Sequence, residues 1–284
     1  MSDELSGWQG CLDLVYRHCD DATRIARAYA RAPLKVQRPF YPEGPQVCHT
    51  VMLHTAGGIV GGDRLSATIH LLPHSRALIT APAATKVYRS NGQLARYTTA
   101  FNLEPEASLE WLPPETILFE GADYQQQTRV ELAPGASFLG WEIARFGRSA
   151  RNERFLHGEW RSRFEIWQQG KPLWIDRQRL QGSEENCTSA NALAGYPLVG
   201  SLIYIGKPVS EELLARVRNL IDSGIIQKKS QAGQFGATRT QAGGLLCRYR
   251  GDSTAEVRKW FIEVWRLLRL ANAQSSPILP RVWQ

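Results

Sequence analysis

Apolar and polar residues alternate along much of the first two thirds of the chain, which predicts β-strands. Thr128, Val130 and Leu132 would share one face of such a strand, and residues 164–167 alternate in the same way. Proline and glycine turn signals separate these stretches at short intervals. The pattern therefore predicts a mainly β body over residues 12–205.

A loosely repeated pattern, an apolar position followed by a turn and a second apolar position, occurs three times in this body. The copies cover residues 72–78, 103–109 and 132–138, and their prolines lie 32 and 29 residues apart. This spacing suits successive coils of a β-solenoid. A β-sandwich would give the same rhythm, so the pattern alone leaves both architectures open.

Helical periodicity is found only towards the end of the chain. Residues 211–221 form one amphipathic segment, and a second helix is predicted for residues 254–271, with Ser253 and Glu256 as a capping box. Its apolar stripe consists of Val257, Trp260, Phe261, Val264, Trp265 and Leu268. We interpret the stripe as a core face, although two tryptophans beside arginines also allow a partner contact.

The polar, glycine-rich residues 227–244 between these helices are predicted to form a mobile loop. Residues 209–271 would then make a helical and loop region attached to the β-rich body at 12–205. With 284 residues the chain is long enough for one large core, and we assign 1–284 to a single domain.

The chain carries 34 lysines and arginines against 27 aspartates and glutamates, a net charge of +7, and most of the cations are arginine. Arginine suits bidentate pairing with carboxylates and phosphates, so an acidic protein surface or nucleic acid is implied as a partner. A β-protein that binds nucleic acid would need its cations on one face, interleaved with exposed aromatic side chains. The arginines are instead spread along the whole chain, so nucleic acid is retained only as the alternative.

No apolar run approaches the ~20 residues of a membrane span, and the first residues do not resemble a signal sequence. The five cysteines are scattered and odd in number, which indicates free thiols and neither a disulfide framework nor a zinc knuckle. We therefore expect a cytoplasmic protein that does not associate with membranes.

The stretch from His54 to Leu65 reads HTAGGIVGGDRL, with two Gly-Gly pairs that let the backbone turn sharply twice. It lacks the Lys-Ser/Thr pair with which a phosphate loop holds phosphates and Mg²⁺. On its own, the segment indicates two strands joined by a turn, with Asp63 at its exit. No nucleotide site is predicted here.

Possible metal ligands cluster in one part of the chain, at Cys48, His49, His54, His70 and His74. Their spacing along strands places them on different faces, so no tetrahedral ligand set follows and a high-affinity zinc site is not predicted. The sequence also lacks a nucleophile motif, so no catalytic residue is assigned. A carbohydrase with paired carboxylates would be an enzymatic alternative, but nothing in the sequence fixes the separation of two such acids.

Four acids stand where strands are predicted to end: Asp63, Glu115, Glu142 and Asp176. They would either face a shared interior or cap turns and pair with Arg64 and Arg177. Glu142 lies between two large apolar residues, where an unpaired carboxylate would be costly. A water-filled passage for a cation would remove that cost.

Five motifs occur in order: Tyr41-Pro-Glu-Gly44, the glycine stretch, residues 84–90, residues 109–119, and Gly140-Trp-Glu-Ile143 followed by Gly147-Arg148. Together they closely resemble the family of the urease accessory protein UreD, also called UreH, from about Leu12 to the C-terminal helix. The resemblance implies β-helix-like stacked sheets, with two α-helices in the C-terminal region.

The same resemblance implies a chaperone that is not an enzyme. It would bind apo-urease, recruit UreF and through it the GTPase UreG, and help to insert nickel into the urease active site. No tightly bound cofactor is implied, only transient Ni²⁺. At matching motif positions, Asp63, Thr85, Glu142 and Asp176 are the candidates for lining an internal Ni²⁺ passage. Several weak oxygen ligands in series would allow an ion both to enter and to leave.

Overall fold

The structure is a computed structural model that describes residues 7–222, 233–272 and 276–283. The three α-helices of these ranges are α1 (Glu184–Thr188), α2 (Glu211–Asp222) and α3 (Thr254–Ala271). The strands are β1 (Gln9–Cys19), β2 (Ala22–Arg31), β3 (Leu34–Val36), β4 (Val47–His54), β5 (Arg64–Leu71), β6 (Arg76–Thr80), β7 (Thr85–Val87), β8 (Ala95–Leu103), β9 (Ser108–Trp111), β10 (Thr116–Leu118), β11 (Asp123–Leu132), β12 (Ser137–Phe146), β13 (Glu159–Gln168), β14 (Lys171–Gln181), β15 (Leu198–Ile205), β16 (Gln234–Arg239) and β17 (Leu245–Gly251).

The strands form two stacked sheets between which the chain passes repeatedly. The seven-stranded sheet has the order β14-β13-β11-β8-β5-β1-β2, and the ten-stranded sheet contains the path β16-β17-β15-β12-β9-β6-β4-β3. Strands β5, β8 and β11 are parallel neighbours in the first sheet, and β6, β9 and β12 are parallel neighbours in the second. This arrangement confirms the prediction of β-helix-like stacked sheets.

The three repeat copies are the turns that join the two sheets. The Ser108 N–H donates to Ser75 O over 2.9 Å, and the Ser137 N–H donates to Ala107 O over 2.9 Å, so each turn is hydrogen-bonded to the next. Because corresponding residues of successive turns meet, the copies are successive coils, and the solenoid interpretation of the repeat is confirmed.

A hydrophobic core fills the space between the sheets. Thr128, Val130 and Leu132 of β11 all point into it and are 5%, 0% and 3% exposed, as their alternation predicted. A second core lies on the other face of the ten-stranded sheet, which α2 and α3 cover. Consecutive residues of β12 therefore face different cores: Trp141 and Ile143 face the helices, whereas Glu142 faces the seven-stranded sheet.

Helix α3 begins and ends where the sequence predicted. The Ser253 hydroxyl accepts a hydrogen bond from the Glu256 N–H, but the Glu256 carboxylate accepts from Tyr249 Oη, so the second half of the expected capping box is replaced. The whole apolar stripe is core, with Trp260 and Trp265 both 0% exposed. A partner contact through this stripe is therefore wrong, because its side chains are covered by the sheet and by α2.

A buried ion cluster fastens the end of α3 to the β body. The Arg269 guanidinium donates to both oxygens of Glu110, over 2.5 and 2.8 Å, and to Glu43 over 2.9 Å. Glu43 also accepts from His49 over 2.7 Å, and Glu110 accepts from the Trp265 indole over 2.8 Å. The Tyr41–Gly44 motif thus contributes an acid that ties a loop to the helix.

The predicted loop over 227–244 is wrong for Gln234–Arg239, which form the edge strand β16, paired antiparallel with β17. The polar and glycine-rich composition of this segment hid the strand, whose inward contact is the Phe235 ring, 5.0 Å from that of Trp260. Residues 227–232 lie outside the described ranges. The single-domain assignment stays a prediction. No helix within the described ranges is long and apolar enough to cross a membrane.

Candidate functional site

A cavity of about 100 Å³ lies between the two sheets. Its polar lining includes His54 on β4, Thr85 on β7, Gln126 and Thr128 on β11, and Glu142 on β12, together with threonines of β8 and β10. Thr85 and Glu142 were predicted from the sequence as passage residues, so the structure brings two of the four candidates to one cavity. The other two, Asp63 and Asp176, lie outside its lining.

Glu142 is held by three neutral donors from the opposite sheet. Its Oε1 accepts from Thr128 Oγ1 over 3.0 Å, and its Oε2 accepts from Gln126 Nε2 and Ser162 Oγ, each over 2.9 Å. Among the described residues no cation forms an ion pair with it. Burial raises the pKa of Glu142, the three hydrogen bonds oppose this rise, and the nearby charge of Asp176 adds to it. A cation would therefore find an acid here without a competing countercharge.

Polar side chains continue from Glu142 towards the edge of the sheets. In the ten-stranded sheet Glu142 is the register partner of Ser201, which in turn is the partner of Arg248. In the seven-stranded sheet Ser162 is the register partner of Gln178. These residues face each other across the interior, and with Asp176 we call them the polar layer: Glu142, Ser162, Asp176, Gln178, Ser201 and Arg248.

Asp176 marks the outer end of the polar layer. Its Oδ1 accepts from Arg248 over 2.8 Å, which joins the two sheets, and its Oδ2 accepts from Gln178 Nε2 over 2.7 Å. The alternative in which Asp176 pairs with Arg177 is not observed, because neighbouring residues of a strand point to opposite faces. Arg177 instead lies on the outer face of the sheet, where its Nη2 is 3.9 Å from Glu165 Oε1.

Asp63 is fully buried and caps the glycine-rich turn. Its Oδ1 accepts from the Trp8 N–H over 2.8 Å and its Oδ2 from the Val60 N–H over 2.9 Å, whereas no ion pair with Arg64 is found in the described part of the chain. Gly62 takes a φ of +91°, which L side chains rarely adopt. The geometry is that of two strands joined by a capped turn, as the motif alone indicated.

His54 is a cavity residue that sequence reasoning did not assign to the passage. Its Nε2 is buried and has no hydrogen-bond partner in the described part of the chain. Burial lowers the pKa of His54. The charge of Asp63 and a hydrogen bond with the Ala56 backbone act in the opposite direction but are smaller effects. The imidazole is therefore neutral at neutral pH, the form in which histidine binds metals. The sequence signal that could have assigned His54 to the passage was its position at the end of a strand, just before the glycine-rich turn.

The other predicted ligands do not form a dense metal site. His49 pairs with Glu43, and His70 pairs with Glu104 over 3.1 Å. Within the described ranges, no group of three or more His, Cys, Asp or Glu side chains is arranged to hold a metal ion. Of the five free cysteines, Cys48, Cys187 and Cys247 are buried.

Comparison with known proteins identifies the family. The family model described as UreD urease accessory protein matches residues 9–284. A protein of Nostoc punctiforme named urease accessory protein UreD is 58% identical over 278 residues, covering 98% of this chain and 96% of its own. Proteins of the same name are 50% identical in Thermosynechococcus vestitus, covering 98% and 99%, and 42% identical in Synechocystis, covering 92% and 95%. The chain therefore belongs to the UreD family of urease accessory proteins.

Proposed function

We propose that this chain is a chaperone of urease maturation that binds apo-urease and, with UreF and the GTPase UreG, helps to insert nickel into the urease active site. Its membership of the UreD family supports the urease role. The observation that carries the nickel role is the internal carboxylate of Glu142, which faces a polar cavity and has only neutral donors around it.

The polar layer supports a relay of Ni²⁺ through the protein. Ni²⁺ binds nitrogen and sulfur strongly, so a dense cage of histidines and thiolates would retain it. Around the cavity, Thr85 and Glu142 offer oxygen ligands and His54 offers a single nitrogen. A volume of about 100 Å³ exceeds the need of one water, so an ion could keep part of its hydration shell. Asp176 would take up the ion at the sheet edge.

The energy for such a relay would come from a partner. The Asp63 carboxylate closes the glycine-rich turn by accepting a hydrogen bond from the Val60 N–H. This N–H is therefore not available to bind a phosphate. This supports a division of labour in which UreG hydrolyses GTP while the present chain binds urease and conducts the ion.

The proposed function is tested by reconstitution. Apo-urease, UreF, UreG, GTP and Ni²⁺ are incubated with or without the purified chain, and urease activity is followed together with complex formation on a sizing column. We expect activation and a stable complex only in the presence of the chain. Equal activation in its absence, with all other components present, would contradict the proposal.

We place the UreF contact on the outward side of α3, since its inward stripe is core. This side presents Lys259 and Arg266, and at its end Leu270, which is 51% exposed. A Leu270→Asp variant is expected to lower UreF affinity about five- to thirtyfold, as loss of an interface hot spot does. Capture on immobilised UreF measures this. Ile175→Asp, at a 40% exposed residue of β14, is the control, and equal losses in both variants would rule out this contact.

Isolated protein is expected to bind Ni²⁺ only weakly, with a dissociation constant on the order of 10 μM or higher, because the cavity supplies few strong ligands. The affinity should rise with pH. Protons compete with a metal ion for its ligands, and burial, by raising the pKa of Glu142, strengthens this competition at its carboxylate, whereas the lowered pKa of His54 weakens it at the imidazole. Equilibrium dialysis at about pH 6 and about pH 8 measures both effects. A tight stoichiometric site would show that the histidines form a ligand cluster after all.

A further inference from the structure

The outer face of the seven-stranded sheet carries arginines in two rows that run across the strands. In the first row Arg64 is the register partner of Arg96, and Arg161 is the partner of Arg179, with Gln125 between the two pairs. In the second row Arg163 is the partner of Arg177. With Arg129 these residues form what we call the arginine face: Arg64, Arg96, Arg129, Arg161, Arg163, Arg177 and Arg179.

Two acids of this face, Glu165 and Glu159, lie beneath the guanidinium groups, whereas the Glu131 side chain is 39% exposed. Glu165 is 0% exposed at its side chain and is bonded by Arg163 and Arg129, whereas the Arg177 side chain above it is 68% exposed. Glu159 is similarly shared between Arg161 and Arg179. Glu159 and Glu165 therefore fix the positions of these arginines, whose guanidinium groups are more exposed than the two acids.

Positive charge is in excess over the whole face. Seven arginines stand against the four acids Asp123, Glu131, Glu159 and Glu165, and five of the arginines form ion pairs with the last three of these acids. Arg64 and Arg96 are exposed and form no ion pair within the described ranges. Neighbouring strands lie about 4.8 Å apart, so these two guanidinium groups stand side by side with free donors.

We propose that the arginine face docks a carboxylate-rich surface of a partner protein. The guanidinium fork matches a carboxylate bidentately, and a held guanidinium loses less entropy on binding. Single-stranded nucleic acid would need aromatic platforms between the cations. The other positions of the two rows are instead Gln125, Ser66, Thr98 and Gln127, and the ring of Trp167 on this face is covered by the Arg129 guanidinium, 4.6 Å from its centroid. A flat sheet face also lacks an element that enters a duplex groove. The inference does not depend on the nickel relay.

The test uses labelled poly-L-glutamate as the acidic probe and a labelled oligodeoxythymidine as the rival, each titrated with the full chain by fluorescence anisotropy at increasing NaCl. The variant R64E/R96E breaks no ion pair, and R38E/R216E changes the same charge at exposed arginines elsewhere. We expect poly-L-glutamate binding to weaken at least about tenfold in R64E/R96E and less than about threefold in R38E/R216E, since each exposed contact contributes modestly. Melting curves should coincide for both variants and the wild type.

Three outcomes would overturn the inference. Equal losses in the two variants would mean that net charge, and not this face, binds the probe. Tighter binding of the oligonucleotide, with the same selective loss in R64E/R96E, would assign the face to nucleic acid. Absence of binding to poly-L-glutamate at low salt would leave the face without the proposed ligand. None of these results bears on nickel insertion, which the reconstitution assay measures separately.

Discussion

An Arg269→Met variant is expected to lose about 3–5 kcal/mol of unfolding free energy, because it removes one partner of a buried ion cluster. The Arg269 side chain is 7% exposed and donates to both Glu43 and Glu110. Methionine fills similar space but leaves the two carboxylates without their shared cation. Glu43 would keep only His49, and Glu110 only the Trp265 indole. Urea unfolding followed by tryptophan fluorescence measures the loss.

The matched control is Arg266→Met on the same helix. Arg266 pairs with Glu263 one turn away at the surface, and such pairs contribute about 0.3–0.5 kcal/mol. The control should therefore unfold close to the wild type. Similar losses in the two variants would mean that the ion cluster does not anchor α3.

The stability of the wild type and that of the Arg269→Met variant should also differ in their dependence on pH. Burial would raise the pKa of Glu43, but the hydrogen bond from His49 and the charge of Arg269 lower it below its usual value. A lowered carboxyl pKa gives stability that is present above the unfolded value and lost as pH falls through the folded value. The variant lacks most of this contribution. The difference in unfolding free energy between wild type and variant should therefore stay constant down to about pH 4.5 and shrink as the pH falls below that value.

A Glu142→Ala variant is expected to lower nickel-dependent activation of urease about ten- to a hundredfold, as loss of a metal-binding contact does. Its unfolding free energy should stay near the wild-type value or rise, because an internal charge that lacks an ion-pair partner is removed. Glu142→Gln keeps the volume of the side chain, removes the charge and replaces one acceptor oxygen by an NH2 donor, so it should show the same loss of activation. Activity assays on reconstituted complexes measure this loss.

Asp63→Ala is the comparison that separates an ion ligand from a structural acid. It leaves the Trp8 and Val60 N–H groups without their acceptor, which should cost about 1–3 kcal/mol of stability. Each variant is followed by a melting curve and by capture of UreF and UreG. If activation by Glu142→Ala falls only in step with stability or assembly, its carboxylate is structural and the relay is wrong.

The repeated turns of the β body and the helices α2 and α3 were predictable because their signals are local, whereas the choice of a solenoid over a sandwich came from the family resemblance and the five-residue α1 was missed. Each turn carries its own proline and flanking apolar residues, and α3 carries its cap and its stripe within one segment. Strand β16 escaped prediction because an exposed edge strand needs few apolar contacts, which Phe235 and Ala237 provide. Its polar residues resemble those of a loop.

The polar layer and the arginine face were not predictable, because register creates them. Ser162, Ser201 and Arg248 are far apart in the chain and meet Glu142 only through strand pairing between and within the sheets. The arginines also looked dispersed along the sequence, which argued against a charged face. Parallel strands in register place residues about 30 positions apart side by side, as with Arg64 and Arg96, and the antiparallel strands β13 and β14 add two further arginine pairs, so an even distribution in sequence becomes a row in space.

The stacked turns also determine where the length of this chain can change. An insertion of a few residues within one coil would shift the following strand against its neighbours, and a shift of one position turns every inward side chain outward. A whole coil of about 30 residues could be gained or lost without this conflict. Smaller insertions and deletions belong in segments that leave the solenoid, such as residues 147–158 between β12 and β13. Length differences among relatives should therefore be concentrated in such segments. A gap of a few residues inside a coil would indicate an incorrect alignment.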